Sequence, residues 1–383
     1  MSYLEKLLDG VEVEWKTLGE VANYEQPTKY LVKSKVYNDN YTIPVLTAGK
    51  TFVLGYTNET EGIYKASENS VIIFDDFTTA NKWVDFDFKA KSSAMKMITS
   101  KDEKKVLLKY IYYWLNTLPN ELVDGDHKRQ WISNYSNKQI PIPCPNNPEK
   151  SLEIQQKIVG ILDRFSELTA ELTAELTARK KQYEYYREQL LTFEEGEVEW
   201  RPIKEILNRT KGTKITASKM KALHKKDGPL KIFAGGKTIA LVNFKDIPEK
   251  NINREPSIIV KSRGIIEFEY YDKPFSHKSE MWSYHSTNKN MNIKFVYYFL
   301  KINEPYFQNI GNRMQMPQIS TPDTENFPIP IPSLEEQARI VSILDKFDTL
   351  TSSISEGLPR EIELREKQYE YYRDLLLSFP KDK

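Results

Sequence analysis

"EIQQKIVGILDRF" (153–165) and "EEQARIVSILDKF" (335–347) agree at 8 of 13 positions, and "KQYEYYREQLLTF" (181–193) and "KQYEYYRDLLLSF" (367–379) agree at 10 of 13. Two phrases repeated in the same order make this chain a duplication. The match extends outward: "IPIPCP" (140–145) echoes "FPIPIP" (327–332), "VEWKTLGEV" (13–21) echoes "VEWRPIKEI" (198–206), and "LTAGKT" (46–51) falls where "IFAGGKT" (232–238) does. A period of roughly 185 residues is far longer than a solenoid repeat, so each copy is a domain plus a connector. The 383 residues suffice for two cores.

The connectors carry helical spacing. Ile154, Ile158, Ile161, Phe165, Leu168 and Leu172 step by 4, 3, 4, 3 and 4, an a/d seam. "ELTAELTAELTA" (167–178) then adds another step of four at Leu176, before Arg179, Tyr183, Tyr186, Leu190 and Phe193 restore the alternation. That is a stutter, four residues inserted into a coiled-coil pattern. The second connector runs Phe347, Leu350, Ile354, Leu358, Ile362, Arg365, Tyr369, Tyr372, Leu376 and Phe379; Phe165 to Lys181 is 16 residues and Phe347 to Lys367 is 20, so its seam is expected to be one such step longer. Ser151 and Ser333 fit as N-caps. Gly357 is expected to end one helical segment and Pro359 to begin the next.

The globular parts read as mixed α/β. "YTIPVLTAG", "NSVIIFDDF" and "PSIIVKSRGIIEFEYY" have strand character, while "KKVLLKYIYYWLNTL" (104–118) and "NIKFVYYFLKIN" (292–303) have helical spacing. Pro141, Pro143 and Pro145, like Pro328, Pro330 and Pro332, impose extended chain before each connector. The expected fold is α+β. Two mixed α/β domains, 1–150 and 196–332, stand in pseudo-two-fold arrangement, separated by two long helices, 151–195 and 333–383, that form an antiparallel coiled coil.

Net charge is only +1, but it is segregated. Residues 201–332 hold 22 Lys and Arg against 12 Asp and Glu, and 23–150 hold 17 against 15; the connectors are acidic, with 6 against 11 in 151–200 and 8 against 11 in 333–383. Basic heads on acidic stems suit a polyanion met by the heads. No apolar run approaches the ~20 residues of a membrane span, and the acidic start "MSYLEKLLDGVEVEW" lacks the form of a secretory signal, so a cytoplasmic protein is expected. The single cysteine, Cys144, excludes an internal disulfide, and His127, His224, His277 and His285 lack metal-ligand spacing.

No catalytic or cofactor motif stands in the chain. A phosphate loop needs Gly five residues before its Gly-Lys-Thr, and Pro44 and Lys231 occupy those places. "PNNPEK" (145–150) is not the Asn/Asp-Pro-Pro-aromatic motif of an adenine methyltransferase. "FDD" (74–76) is answered by basic residues in the second copy's "IIVKSRG". What remains is a geometry of two basic heads on a spacer, which suits two separated sites on one duplex. Four residues lengthen a helix by ~6 Å and turn it by ~40°, against ~3.4 Å and ~35° per base pair. The repeat can therefore act as a ruler graduated in base pairs.

The duplication, the IPIP boundaries, the ELTA phrase, the KQYEYYR copies and "EGLPREIELR" (356–365) together resemble the specificity subunit of type I restriction-modification systems, type IC in particular, over essentially the whole chain. The resemblance implies a non-catalytic subunit of a bacterial cytoplasmic complex, in which two target recognition domains each read half of an asymmetric bipartite site in double-stranded DNA. It implies that the helices set the gap and carry two methyltransferase subunits, through which motor-nuclease subunits join. S-adenosylmethionine, ATP and magnesium then belong to the partner subunits. By this resemblance Tyr183, Tyr185, Tyr186, Tyr369, Tyr371 and Tyr372 form the partner-binding faces, and Ile158, Phe165, Leu168, Leu172, Leu176, Phe347, Leu350, Ile354, Leu358 and Ile362 the spacer seam. A two-headed protein-interaction scaffold without DNA binding is the alternative.

DNA-contact candidates are basic, amide or hydroxyl residues near glycine at matched places in the copies, since Arg and Lys take phosphates or guanine edges and Asn and Gln pair with adenine. In the first domain they are Thr47, Gly49, Lys50, Thr78, Thr79, Lys82, Gly125, His127, Lys128, Arg129 and Gln130. In the second they are Gly235, Gly236, Lys237, Lys261, Arg263, His277, Lys278, Asn312, Arg313, Gln315 and Gln318.

Overall fold

The structure is a computed structural model and describes residues 10–47, 51–119, 129–194, 196–236, 238–312 and 316–379. It divides into two units, Met1–Leu172 with Ile362–Lys383, and Thr173–Glu361. Each unit contains one head and parts of both connectors.

The first unit holds strands β1 (Val13–Thr17), β2 (Ala22–Glu25), β3 (Ile43–Leu46), β4 (Val53–Thr57), β5 (Val71–Asp75), β6 (Asn81–Val84), β7 (Lys89–Ala90), β8 (Met95–Ser100) and β9 (Gln139–Pro143), with helix α1 (Leu108–Leu115) before β9. The second holds β10 (Glu199–Pro202), β11 (Asn208–Lys211), helix α3 (Ala217–Leu223), β12 (Leu230–Phe233), β13 (Ile239–Val242), β14 (Ser257–Lys261), β15 (Glu267–Tyr271), β16 (Phe275–His277), β17 (Trp282–His285), helix α4 (Ile293–Ile302) and β18 (Pro328–Ile331). The connectors form helix α2 (Pro148–Leu191) and helices α5 (Leu334–Ser352) and α6 (Gly357–Leu377).

The duplication holds at the level of strand pairing. The first unit has sheets ordered β2-β8-β5-β6, β4-β3-β7 and β1-β9; the second has β11-β17-β14-β15, β13-β12-β16 and β10-β18. In the larger sheets Phe74 pairs with Lys96 and Val260 with Trp282, so the registers coincide under a shift of 186 residues. The central strands β5 and β14 are buried along their whole length, which is why their sequences show no polar alternation. The proline runs form strands with a single partner, β1 for β9 and β10 for β18. There the missing N–H costs no ladder bond, and Pro141 O accepts instead from the Tyr110 hydroxyl at 2.8 Å.

Helix α2 is 44 residues long, about 66 Å at 1.5 Å per residue. Its start corrects the expected cap. Lys150 N donates to Asn147 Oδ1 at 3.1 Å, and Pro148 occupies the first helical position, while Ser151 already donates its N–H to Asn147 O. Proline's fixed φ and missing donor make it a good first residue, which moves the start upstream. Ser333 does cap α5, accepting from Glu336 N.

The second connector breaks earlier than expected. Helix α5 ends at Ser352, and Gly357 opens α6 rather than closing α5. Gly357 has φ +80°, and a Cβ there would lie 2.3 Å from Thr349 O, so the chain can fold back over the end of α5 only with glycine at this place. Ile354, expected in the seam, lies in the break and is 84% exposed. The four residues by which the second connector exceeds the first are thus matched by four non-helical ones, 353–356. In α2 the seam residues Leu168, Leu172, Leu176, Arg179 and Tyr183 are half-buried in a mostly exposed stretch.

The connectors are built into the heads. In the first unit Ile154, Ile158 and Leu162 of α2 and Leu376 and Leu377 of α6 share a core with Ile72, Ile98, Ile111 and Trp114. In the second, Leu191 of α2 and Ile340, Val341 and Leu344 of α5 share one with Ile258, Val260, Phe295 and Phe299. Polar clamps reinforce each junction. Gln155 Oε1 accepts from Leu107 N at 2.9 Å while its Nε2 donates to Lys105 O at 2.9 Å; Gln337 Oε1 accepts from Asn292 N at 2.8 Å while its Nε2 donates to Asn290 O at 3.3 Å and Pro332 O at 2.9 Å. Two turns on, Asp163 accepts from the Tyr113 hydroxyl and pairs with Lys109 at 3.2 Å; Asp345 accepts from the Tyr298 hydroxyl at 2.5 Å and pairs with Lys294 at 2.7 Å. Burial, then the bonded aspartate, pushes both tyrosine hydroxyls well above their ordinary pKa.

Gln155→Ala is expected to leave the Leu107 N–H and Lys105 carbonyl unpaired and to destabilise the first unit by about 1–3 kcal/mol. Thermal unfolding measures this, and an unchanged melting temperature would contradict the clamp.

Candidate nucleic-acid interface

In the first unit the exit of β5 organises the surface. Asp75 accepts Phe77 N at 2.9 Å and Thr78 N at 3.3 Å on Oδ1 and the Thr78 hydroxyl at 2.7 Å on Oδ2, so one carboxylate shapes the turn to β6. Thr79 sits in that turn at φ +61°. The next residue, Asp76, reaches the chain that precedes β9: its carbonyl accepts Gln130 N at 2.9 Å and its Oδ1 accepts Trp131 N at 2.9 Å. Thr78, Lys82 and Arg129 are exposed there, and Thr79 and Gln130 are buried.

The second unit repeats the junction with other side chains. Ile319 N donates to Ser262 O at 3.0 Å, the counterpart of the Gln130 to Asp76 bond, and Arg263 bridges Gln318. Gly264, at φ +77°, donates to Pro317 O. Arg263, Asn312 and Gln318 are exposed at this place. Gly235, Gly236, Arg263 and Lys278 line one cleft of about 800 Å³ together with Lys221 and His224.

Other expected contacts are placed elsewhere. His277 is fully buried in strand β16, with Nε2 3.2 Å from Ser283 Oγ and Nδ1 3.1 Å from Lys278 O, and so cannot meet DNA. Lys261 is buried between Glu267 and Glu269, 2.8 Å from the latter, which neutralises it. Lys278 is paired with Glu280. Thr47 closes its own turn, donating its hydroxyl to Thr51 O at 2.6 Å. Gly49, Lys50, Gly125, His127, Lys128, Lys237, Arg313 and Gln315 lie outside the described residues.

Sequence reasoning missed two features. The first is apolar side chains exposed beside the polar candidates: Phe77 and Ile132 in the first unit, Ile265 and Met316 in the second. Such groups contact thymine methyls or base faces, and their signal was adjacency to the turns. The second is a basic cleft of about 780 Å³ lined by Lys211, Lys214, Lys219 and Lys250, with Thr213, Asn251 and Asn253. Only the net positive count of the block hinted at it. Among the described residues no cluster of His, Cys, Asp and Glu could hold a metal ion, and no helix is long and apolar enough to cross a membrane.

The family model for the type I restriction modification DNA specificity domain matches twice, over residues 10–179 and 195–364. The chain belongs to that family. The specificity subunit of the Escherichia coli type I restriction enzyme EcoR124I/EcoR124II is 56% identical over 398 aligned residues, covering 100% of this chain and 98% of its own. A putative type I specificity subunit of Haemophilus influenzae is 34% identical, covering 99% and 98%. Among solved structures, the type I restriction-modification S subunit from M. genitalium shares the fold, with a TM-score of 0.68 over 100% of both chains at 16% identity. Specificity subunits of this family are non-catalytic DNA-recognition subunits.

Burial holds the His277 imidazole below its ordinary pKa, against the opposing pull of the Lys278 carbonyl and Glu280. The unfolded chain therefore takes up the proton first, and the contribution of His277 is complete above about pH 6.5 and lost as pH falls below it. Denaturant unfolding between pH 7.5 and 5 is expected to show this loss with a slope no steeper than ~1.4 kcal/mol per pH unit, the limit for one proton. His277→Gln should flatten it, and an identical slope in the variant would exclude His277 as the source.

Proposed function

We propose that the chain is the sequence-reading subunit of a type I restriction-modification enzyme in which each unit reads one half of an asymmetric bipartite duplex site. The observation that carries this is repetition with altered surfaces: a DNA specificity domain matches twice, and each copy presents the same loop junction with different side chains. Arg129, Thr78 and Lys82 meet one half-site, and Arg263, Asn312 and Gln318 the other, with the exposed apolar residues against base edges or methyls. The four-lysine cleft of the second unit takes phosphates, which carry no sequence information but supply affinity. A scaffold without DNA binding would have no use for a repeated DNA specificity domain.

The helices form the spacer, as an antiparallel coiled coil whose length sets the gap, and they carry two methyltransferase subunits, through which motor-nuclease subunits join. S-adenosylmethionine, ATP and magnesium act in those partners. The tyrosines divide by role. Tyr183 stacks on Phe347 at 5.8 Å, Tyr372 on Phe165 at 5.3 Å, and Tyr369 approaches Tyr113 at 6.3 Å, all within their own units. Tyr185 and Tyr371 are exposed and are offered to partners; Tyr186 does both, 40% exposed while its ring lies 5.7 Å from that of Phe347.

Co-expression with the methyltransferase partner, followed by mapping of methylated bases over a genome, is expected to yield one bipartite motif with a fixed gap. Methylation without any motif would refute the proposal. Replacing Lys211, Lys214, Lys219 and Lys250 by Gln should weaken binding to every duplex alike and make the salt slope shallower by up to ~0.9 for each phosphate no longer neutralised, leaving the motif unchanged. An altered motif would instead make these lysines base readers.

A further inference from the structure

Asp76 and Lys96 form an ion pair buried completely in the first unit, with Oδ2 and Nζ 3.1 Å apart. The contact lies off the line of a hydrogen bond, and among the described residues neither atom finds another. Arg129 Nη1 stands 4.0 Å from the same carboxylate oxygen. Removing two charges from water costs several kcal/mol per ion, and apolar replacements of such pairs are commonly neutral or stabilising. The second unit shows that this sheet does not require the pair: the register places Trp282 at the equivalent of Lys96 and Ser262 at that of Asp76. There Trp282 Nε1 donates to Thr324 Oγ1 and Ser262 Oγ to Glu280 O.

What the first unit gains is attachment. Asp76 donates its N–H to Ala94 O at 3.0 Å, and it receives Gln130 N on its carbonyl and Trp131 N on its carboxylate. In the second unit the corresponding segment keeps the backbone bond from Ile319 to Ser262. The ring of Trp131 packs edge-on against Phe74, 5.2 Å between centroids, so the return segment is held on the strand that also carries the turn. Turn and segment together present Phe77, Thr78, Lys82, Arg129 and Ile132 to solvent.

We propose that Asp76, fixed by Lys96, is a positioning residue for sequence reading by the first unit: it locks the β5–β6 turn to the Arg129–Trp131 segment so that both address one half-site in a single arrangement. This rests on the proposed reading of bipartite DNA. Lys96 holds the carboxylate in place by charge, and the carboxylate holds the segment by accepting Trp131 N.

The test uses the full chain co-expressed with its methyltransferase partner, with methylation mapped separately for the two half-sites. D76A/K96M removes the tether without stranding a buried charge, whereas D76N/K96M keeps an acceptor for Trp131 N. D76A/K96M is expected to relax base discrimination at one half-site on the order of tenfold, the scale of one good base contact. The other half-site should stay unchanged, and D76N/K96M should restore most of the loss. A folded D76A/K96M complex with the original motif and extent of methylation would overturn the proposal, and so would equal loss of base discrimination at both half-sites. Should D76A/K96M not accumulate, hydrogen exchange in the unaltered complex decides: the Gln130 and Trp131 amides are expected to be protected, and exchange as fast as in exposed turns would overturn it. Absence of a bipartite motif with the unaltered chain would instead be a failure of the proposed function.

Discussion

The interaction on which the rest depends is the junction between each head and its connector helix, made twice with the same chemistry. A buried glutamine, Gln155 or Gln337, satisfies the backbone just before the head's helix, and an aspartate two turns on, Asp163 or Asp345, takes a tyrosine hydroxyl and a lysine from that helix. Between them Ile158 and Leu162, or Ile340 and Leu344, bury apolar side chains in the head's core. Because an unmade buried hydrogen bond costs more than a made one contributes, this pattern admits one docking geometry. A head so fixed turns with its helix, which a spacer that sets register requires.

On this shared frame the copies have diverged at the loops. The sheets keep their order and register, but Lys96 and Asp76 give way to Trp282 and Ser262, and the second head carries a four-lysine cleft. A fixed frame with exchangeable tips suits an asymmetric target, since each tip can change its chemistry without disturbing how the head sits on its helix.

Much of this was legible in the sequence. The repeated phrases gave the duplication, and within them lay Gln155, Asp163, Gln337 and Asp345, although matching letters do not say which backbone groups they satisfy. Strands β5 and β14 were visible as apolar runs, because a buried central strand has no polar face to hide it. Other features were not legible. His277 and Lys261 read as surface cations, since sequence cannot show that Ser283 and the glutamates of β15 enclose them. Ile354 matched the heptad yet lies in a break set by the backbone at Gly357, where period alone carries no information. The cap at Asn147 was hidden by Ser151, an equally good capping residue one turn further on.

The connector lengths join fold to function. The first runs 16 residues from Phe165 to Lys181 in unbroken helix; the second runs 20 from Phe347 to Lys367, with 353–356 outside helix. The ELTA units therefore lie in the continuous helix, where a change of four residues moves one end by ~6 Å and ~40°. The most direct measurement is the methylated motif of a chain lacking one ELTA unit. The account predicts both half-sites unchanged and a gap shortened by about one base pair, the step that matches this rotation; altered half-sites with the original gap would contradict it.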